Sequence, residues 1–173
     1  MYQGLRYALL FVAVALLQSL IFNQLQISIY LNPLIYVAWV MLLPMRTKPI
    51  VVLMCGLLAG VLMDITMGLV GVNTIASLLT AYVRPLMLRL AVGKDNATDG
   101  GIPAPMQVGA GKFLAYASVF TAVQCTLFFA LEAMTLQYLL PIVLKIVVNT
   151  IATVMLVWGV ASVFAPRNYN NSF

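Results

Sequence analysis

The chain has 173 residues, of which 64% are hydrophobic and 8% are charged, and its net charge at pH 7 is +5. Soluble domains carry about 25% charged residues, so this composition excludes a soluble globular protein and predicts an integral membrane protein. The absence of histidine excludes Ser-His-Asp and Cys-His catalysis and every histidine-based metal site. We therefore expect a non-enzymatic protein with no catalytic residue, no metal and no cofactor.

About six apolar segments approach the length of about 20 residues that a helix needs to cross a bilayer. The first has no small-residue cleavage site after it, which favours a retained anchor. The second starts with Asn32-Pro33, so we expect it to be short, kinked or irregular there. All six belong to one all-α transmembrane domain, residues 1–173, and the predicted spans are 5–22, 27–43, 50–68, 73–91, 112–133 and 138–164.

The longest connection, residues 93–111, contains five glycines and two prolines, and this composition predicts a flexible loop. The other informative feature of the connections is charge. With the N-terminus inside, the three outer connections near residues 23–30, 66–72 and 134–137 hold no lysine or arginine. The positive-inside rule then places both termini and the 93–111 loop in the cytoplasm. Basic residues scattered singly in this way indicate orientation in a lipid bilayer and no nucleic-acid partner; the cytoplasmic ones are Arg6, Arg46, Lys48, Lys94, Lys112 and Arg167.

The third segment contains the motif "GLLAGVLMDITMGLVGVN", residues 56–73. Small residues four apart on a helix let another backbone approach closely. The pair Gly56 and Gly60 therefore predicts either a docking face for a partner or a packing face within the protein's own bundle. The full candidate face consists of Gly56, Gly60, Asp64, Gly68, Gly71 and Asn73.

Asp64 is a carboxylate inside an apolar stretch, where a charge costs about 2.5–3.5 kcal/mol on insertion scales. Such an acid faces a cavity, a partner or an opposite charge, or else it caps the broken helix end at residues 68–73. Lys145 and Glu132 are further unusual charges in the outer half. A Lys145 pair with Asp64 or Glu132 is possible, and so is a Lys145 that extends alone to the membrane surface.

Arg84 and Arg89 lie in the fourth segment, toward its cytoplasmic end. Arg84 precedes Pro85 and is predicted either at the inner membrane boundary or extending to it. A contact with a phospholipid phosphate is the favoured interpretation, and a functional cation is the alternative.

The early Asn-Pro, the glycine-acid motif above and "LLTAYVRPLML" in the next segment resemble the MreD family of bacterial rod shape-determining proteins. The distinctive part of the resemblance is residues 50–90. It implies the fold of the substrate-binding subunits of energy-coupling-factor transporters and a location in the bacterial cytoplasmic (inner) membrane. It also implies a non-enzymatic scaffold of the elongation machinery that binds an MreC-like bitopic protein. The wider assembly would contain RodA, a penicillin-binding transpeptidase and MreB.

The shared fold leaves an alternative function, the substrate-binding subunit of an energy-coupling-factor vitamin transporter. That function requires several polar groups converging on an outer-facing pocket. The candidates in the outer half are Asp64, Asn73, Gln124, Glu132, Lys145 and Asn149.

Overall fold

The computed structural model describes residues 12–16, 18, 33–93, 101–133 and 139–164, and the regular elements in these ranges are all helical. Residues 12–16 are helical. The remaining helices are α1 (Val37–Met41), α2 (Pro49–Met67), α3 (Val72–Ala91), α4 (Pro105–Val108), α5 (Ala110–Ala133) and α6 (Leu139–Phe164).

Three helices in the described part of the chain are long and apolar enough to cross a membrane: Pro49–Met67, Ala110–Ala133 and Leu140–Val163. By their length and composition they indicate a membrane protein, and they agree with three of the predicted spans. Helix α3 occupies the predicted span 73–91. Its polar and basic residues lower its hydropathy, so it is not one of these three helices. Most of the predicted span 5–22 lies outside the described residues, as do Arg6, Lys94 and Arg167.

Of the predicted span 27–43 the structure describes residues 33–43, and these show the irregular start that Asn32-Pro33 predicts. Residues 33–43, hereafter the central segment, are irregular at Pro33 and Leu34, turn at 35–36 and form only the five-residue helix α1. Pro33 has a fixed φ and no N–H, which opposes a continuous helix through this point. Every side chain from Leu34 to Leu43 is at most 8% exposed. A segment buried on all sides belongs to the interior of the bundle, and α2, α3, α5 and α6 surround it.

Helices α2 and α3 form a hairpin whose turn depends on two glycines. Gly68 ends α2 at φ 67° and Gly71 precedes α3 at φ 82°. This left-handed region favours glycine, because a Cβ is strained there. Pro49 begins α2, where its missing N–H costs no hydrogen bond.

The Gly56 and Gly60 face packs against α3 of the same chain. A Cβ built on Gly56 would lie 2.8 Å from Ala81 Cβ, and one on Gly60 would lie 2.5 Å from Thr74 Cα. Both glycines are buried. The hypothesis of a partner-docking face is therefore replaced by its alternative, internal packing, because α3 already occupies the space beside the glycines.

The connection predicted as a flexible loop contains structure in its described part, residues 101–109. The Met45 amide donates to the Gly101 carbonyl over 2.9 Å, and the Ile102 amide donates to Gln107 Oε1 over 2.7 Å. Helix α4 lies in this stretch, and its Val108 is buried. Residues 101–109 are thus attached to the end of the central segment.

Alanine substitutions at three helical glycines test the α2–α3 packing. Gly60→Ala should lower the free energy of unfolding by about 3 kcal/mol, since the methyl group meets rigid backbone. Gly56→Ala should cost about 1–2 kcal/mol, because its methyl group meets the Ala81 methyl group at 2.8 Å and the Ser77 backbone at 3.1 Å, farther from backbone than at Gly60. Gly159→Ala on α6, where a Cβ has nothing within 4 Å, should be neutral or stabilising. Denaturant unfolding in detergent micelles measures all three, and equal effects at the three positions would contradict the close approach.

Candidate functional site

The irregular start of the central segment is stabilised by polar side chains from distant parts of the chain. The Leu34 amide donates to Thr153 Oγ1 over 3.1 Å, and the Ile35 amide donates to Gln18 Oε1 over 2.8 Å. In a bilayer, backbone groups that leave a helix must find partners within the protein. These two side chains supply the acceptors that a continuous helix would have provided itself.

The far end of the central segment is capped by Arg84. Its Nη2 donates to the carbonyls of Met41, over 3.3 Å, and of Leu43. Tyr116 OH also donates to the Met41 carbonyl, over 3.2 Å. The last carbonyls of a helix lack internal partners and attract positive charge. Arg84 is only 1% exposed, so its side chain does not extend along the surface to the membrane boundary; the alternative, a position at the inner boundary, stays a prediction. Arg89 is exposed.

The middle of the central segment carries Tyr36, whose hydroxyl joins three elements. It donates to Asn73 Oδ1 over 3.0 Å and accepts from Gln124 Nε2 at 2.8 Å and Ser77 Oγ at 3.2 Å. Asn73 and Ser77 lie on α3, and Gln124 lies on α5. An adjoining cavity of about 10 Å³ has room for a single water molecule at most.

Asp64 caps the start of α3 from the facing helix. Its Oδ1 accepts from the Asn73 amide at 2.8 Å and from Asn73 Nδ2 at 3.1 Å. Its Oδ2 accepts from the Thr74 amide at 2.9 Å and from Thr74 Oγ1 at 2.5 Å. Asn73 and Thr74 are the second and third residues of α3, whose amides have no partner within the helix. A carboxylate is also favoured at the positive end of the helix dipole.

Lys145 and Glu132 are not partners of this carboxylate. Lys145 Nζ lies 5.9 Å from the centroid of the Phe129 ring, a distance typical of a cation–π interaction. Glu132 is exposed on α5. Within the described residues no ion pair joins Lys145 to Asp64 or to Glu132, so that prediction is corrected: both Asp64 oxygens are occupied by α3.

The site is therefore one polar network around the central segment, and the sequence identified only part of it. Asp64, Asn73, Gln124 and Arg84 attracted attention as polar groups among apolar ones. Tyrosine, serine and threonine are ordinary residues of membrane helices, so nothing in the pattern singled out Tyr36, Ser77, Tyr116 and Thr153. Gln18 is an amide within the apolar span 5–22, the same signal as Gln124, and it was missed.

No protein-family model, no curated protein and no solved structure matches this chain. The resemblance to the MreD family therefore rests on the sequence pattern alone: Asn32-Pro33, residues 56–73 and residues 78–88.

Substitutions of Asp64 separate capping from charge pairing. Asp64→Asn keeps one acceptor oxygen and should lower the free energy of unfolding by about 1 kcal/mol, while Asp64→Leu leaves the α3 amides without acceptors and should cost about 3 kcal/mol. The matched control is Lys145→Leu, alone and combined with Asp64→Leu. The donors to Asp64 come from α3 and not from Lys145. Removal of Lys145 should therefore recover no stability, and the double variant should be no more stable than Asp64→Leu. Recovery in the double variant, measured by the same denaturant titration, would contradict the capping role.

Two buried tyrosines provide a second comparison. Tyr36→Phe leaves Asn73 Oδ1 without its donor and removes one of the two acceptors of Gln124 Nε2, and it should lower the free energy of unfolding by about 2 kcal/mol. Tyr116→Phe removes the same hydroxyl group, but the Met41 carbonyl keeps its bond from Arg84, so we expect about 1 kcal/mol or less. Thermal unfolding of the two variants in detergent measures the difference. Equal effects would show that Tyr36 is not the centre of the network.

Proposed function

We propose that the protein is a non-enzymatic membrane scaffold of the bacterial cell-elongation machinery. It supports peptidoglycan synthesis and cell shape by binding an MreC-like bitopic protein in the inner membrane, with both of its own termini in the cytoplasm. RodA, a penicillin-binding transpeptidase and MreB belong to the wider assembly. The proposal rests on the resemblance over residues 50–90 together with one structural observation.

That observation is that the interior polar groups form hydrogen bonds with other parts of the same chain. Asp64 bonds the start of α3, Tyr36 connects α3 with α5, and Arg84 bonds the carbonyl end of the central segment. These groups stabilise the chain's own shape. Because these polar side chains are bonded within the chain, contacts with partners would use the outer faces of the helices, as in a scaffold protein.

The same observation weighs against the transporter alternative, which requires polar groups free to hold a substrate in an outer pocket. Of the candidates for such a pocket, Asp64 and Asn73 are bonded within the network, and Gln124 is bonded through Nε2 while its Oε1 has no partner among the described residues. Asn149 Nδ2 donates to the Lys145 carbonyl over 2.8 Å, and Lys145 lies over Phe129.

Co-purification from native membranes tests the proposal. An affinity-tagged copy of the full chain, extracted in mild detergent, should retain an MreC-like bitopic protein, identified by mass spectrometry. A tagged, unrelated membrane protein with a similar number of spans is the control for non-specific capture. Recovery of a coupling ATPase in place of the bitopic protein would overturn the scaffold in favour of the transporter.

Depletion of the protein in cells gives an independent readout. Rod-shaped cells should become round, and the wild-type chain should restore the rod shape. Gly159→Ala, with open space around its Cβ, should restore it equally well, while Gly60→Ala should fail in proportion to its lost protein level. Cells that keep a normal rod shape after depletion would contradict a role in elongation.

A further inference from the structure

A basic cleft lies between the start of α2 and the second half of α3. Its volume is about 620 Å³, and four of its lining residues are cationic: Arg46, Lys48, Arg84 and Arg89. Arg46, Lys48 and Arg89 are exposed. With the orientation predicted from the basic flanks, the cleft opens toward the cytoplasmic leaflet.

Arg84 has no carboxylate partner among the described residues. Its Nη2 donates to the neutral carbonyls of Met41 and Leu43, and its buried Nε has no partner in the described part of the chain. Asp64, the carboxylate at the other end of the hairpin, is committed to Asn73 and Thr74, about 15 Å from Arg84 along α3. A guanidinium that is 1% exposed retains most of its positive potential, because little solvent screens it.

An apolar groove continues from the cleft along the same hairpin. It has a volume of about 480 Å³, and it shares Pro49, Pro85 and Arg89 with the cleft. Its other walls include Leu53 and the exposed side chains of Tyr82 and Leu86. A cationic cleft and an apolar groove that meet at shared residues have the two-part chemistry of a phospholipid: a phosphate at the membrane surface and an acyl chain below it.

We propose that this hairpin binds one anionic phospholipid, with its phosphate in the cleft and an acyl chain in the groove. Arg46, Lys48 and Arg89 contact the phosphate at the mouth, since arginine and lysine are the usual phosphate ligands. Arg84, which is 1% exposed, attracts the phosphate from beneath by its charge and does not contact it. Basic pockets beside membrane helices recognise anionic headgroups in this way. The proposal is independent of the scaffold function.

Native mass spectrometry of the full chain in detergent, titrated with phosphatidylglycerol or phosphatidylcholine, tests the site. The wild type should bind one phosphatidylglycerol in preference to phosphatidylcholine. Each cation near an anionic surface contributes about a fivefold gain in affinity. The Arg46→Gln, Arg89→Gln double variant should therefore bind phosphatidylglycerol about thirtyfold more weakly. Both residues are exposed, so these changes leave the buried network intact, and Arg89→Lys should retain most of the affinity.

Lys112→Gln is the matched control, because Lys112 is exposed at the start of α5 and lies outside the cleft; it should bind like the wild type. Equal weakening by Lys112→Gln and by the double variant would overturn the proposal, as would equal binding of the two lipids. Inorganic phosphate in large excess should not displace the lipid; full displacement would show a free-phosphate site.

Discussion

The central segment can exist at the middle of a membrane protein only because other parts of the chain bond its backbone. Lipid offers no hydrogen bonds, so an irregular backbone is tolerated there only inside the protein. Thr153 and Gln18 accept from the amides at one end, and Arg84 and Tyr116 donate to carbonyls at the other. The positions of α3, α5 and α6 around the segment follow from this requirement.

Asp64 and Arg84, the two most buried charges among the described residues, act in the same way with opposite signs. The carboxylate bonds the amides that begin α3, and the guanidinium bonds the carbonyls that end the central segment. Each charge sits at the helix end whose partial charge is opposite to its own. They differ in their remaining hydrogen-bonding groups: both Asp64 oxygens are occupied, whereas the buried Nε of Arg84 has no partner among the described residues. Arg84 therefore keeps a buried positive charge beneath the exposed side chains of Arg46, Lys48 and Arg89.

The sequence by itself determined the membrane class, because a chain with 64% hydrophobic residues has no way to bury its apolar surface in water. It also located α2, α5 and α6 by their length, and it indicated the break at Gly68 and Gly71 by their backbone freedom. Asp64 was recognisable as important, since an isolated acid among apolar residues requires a local reason.

Only the tertiary structure decided what those residues do. Capping of α3 by Asp64, the position of Gly60 against Thr74, and the hydrogen bonds of Tyr36 to α3 and α5 all join residues that sequence periodicity treats separately. Periodicity reports which face of a helix is apolar, and it does not report which other helix covers that face. The sequence predicted a membrane span at the central segment because its residues are hydrophobic. Hydrophobicity is equal for a side chain that faces lipid and for one that faces protein, and only packing distinguishes the two.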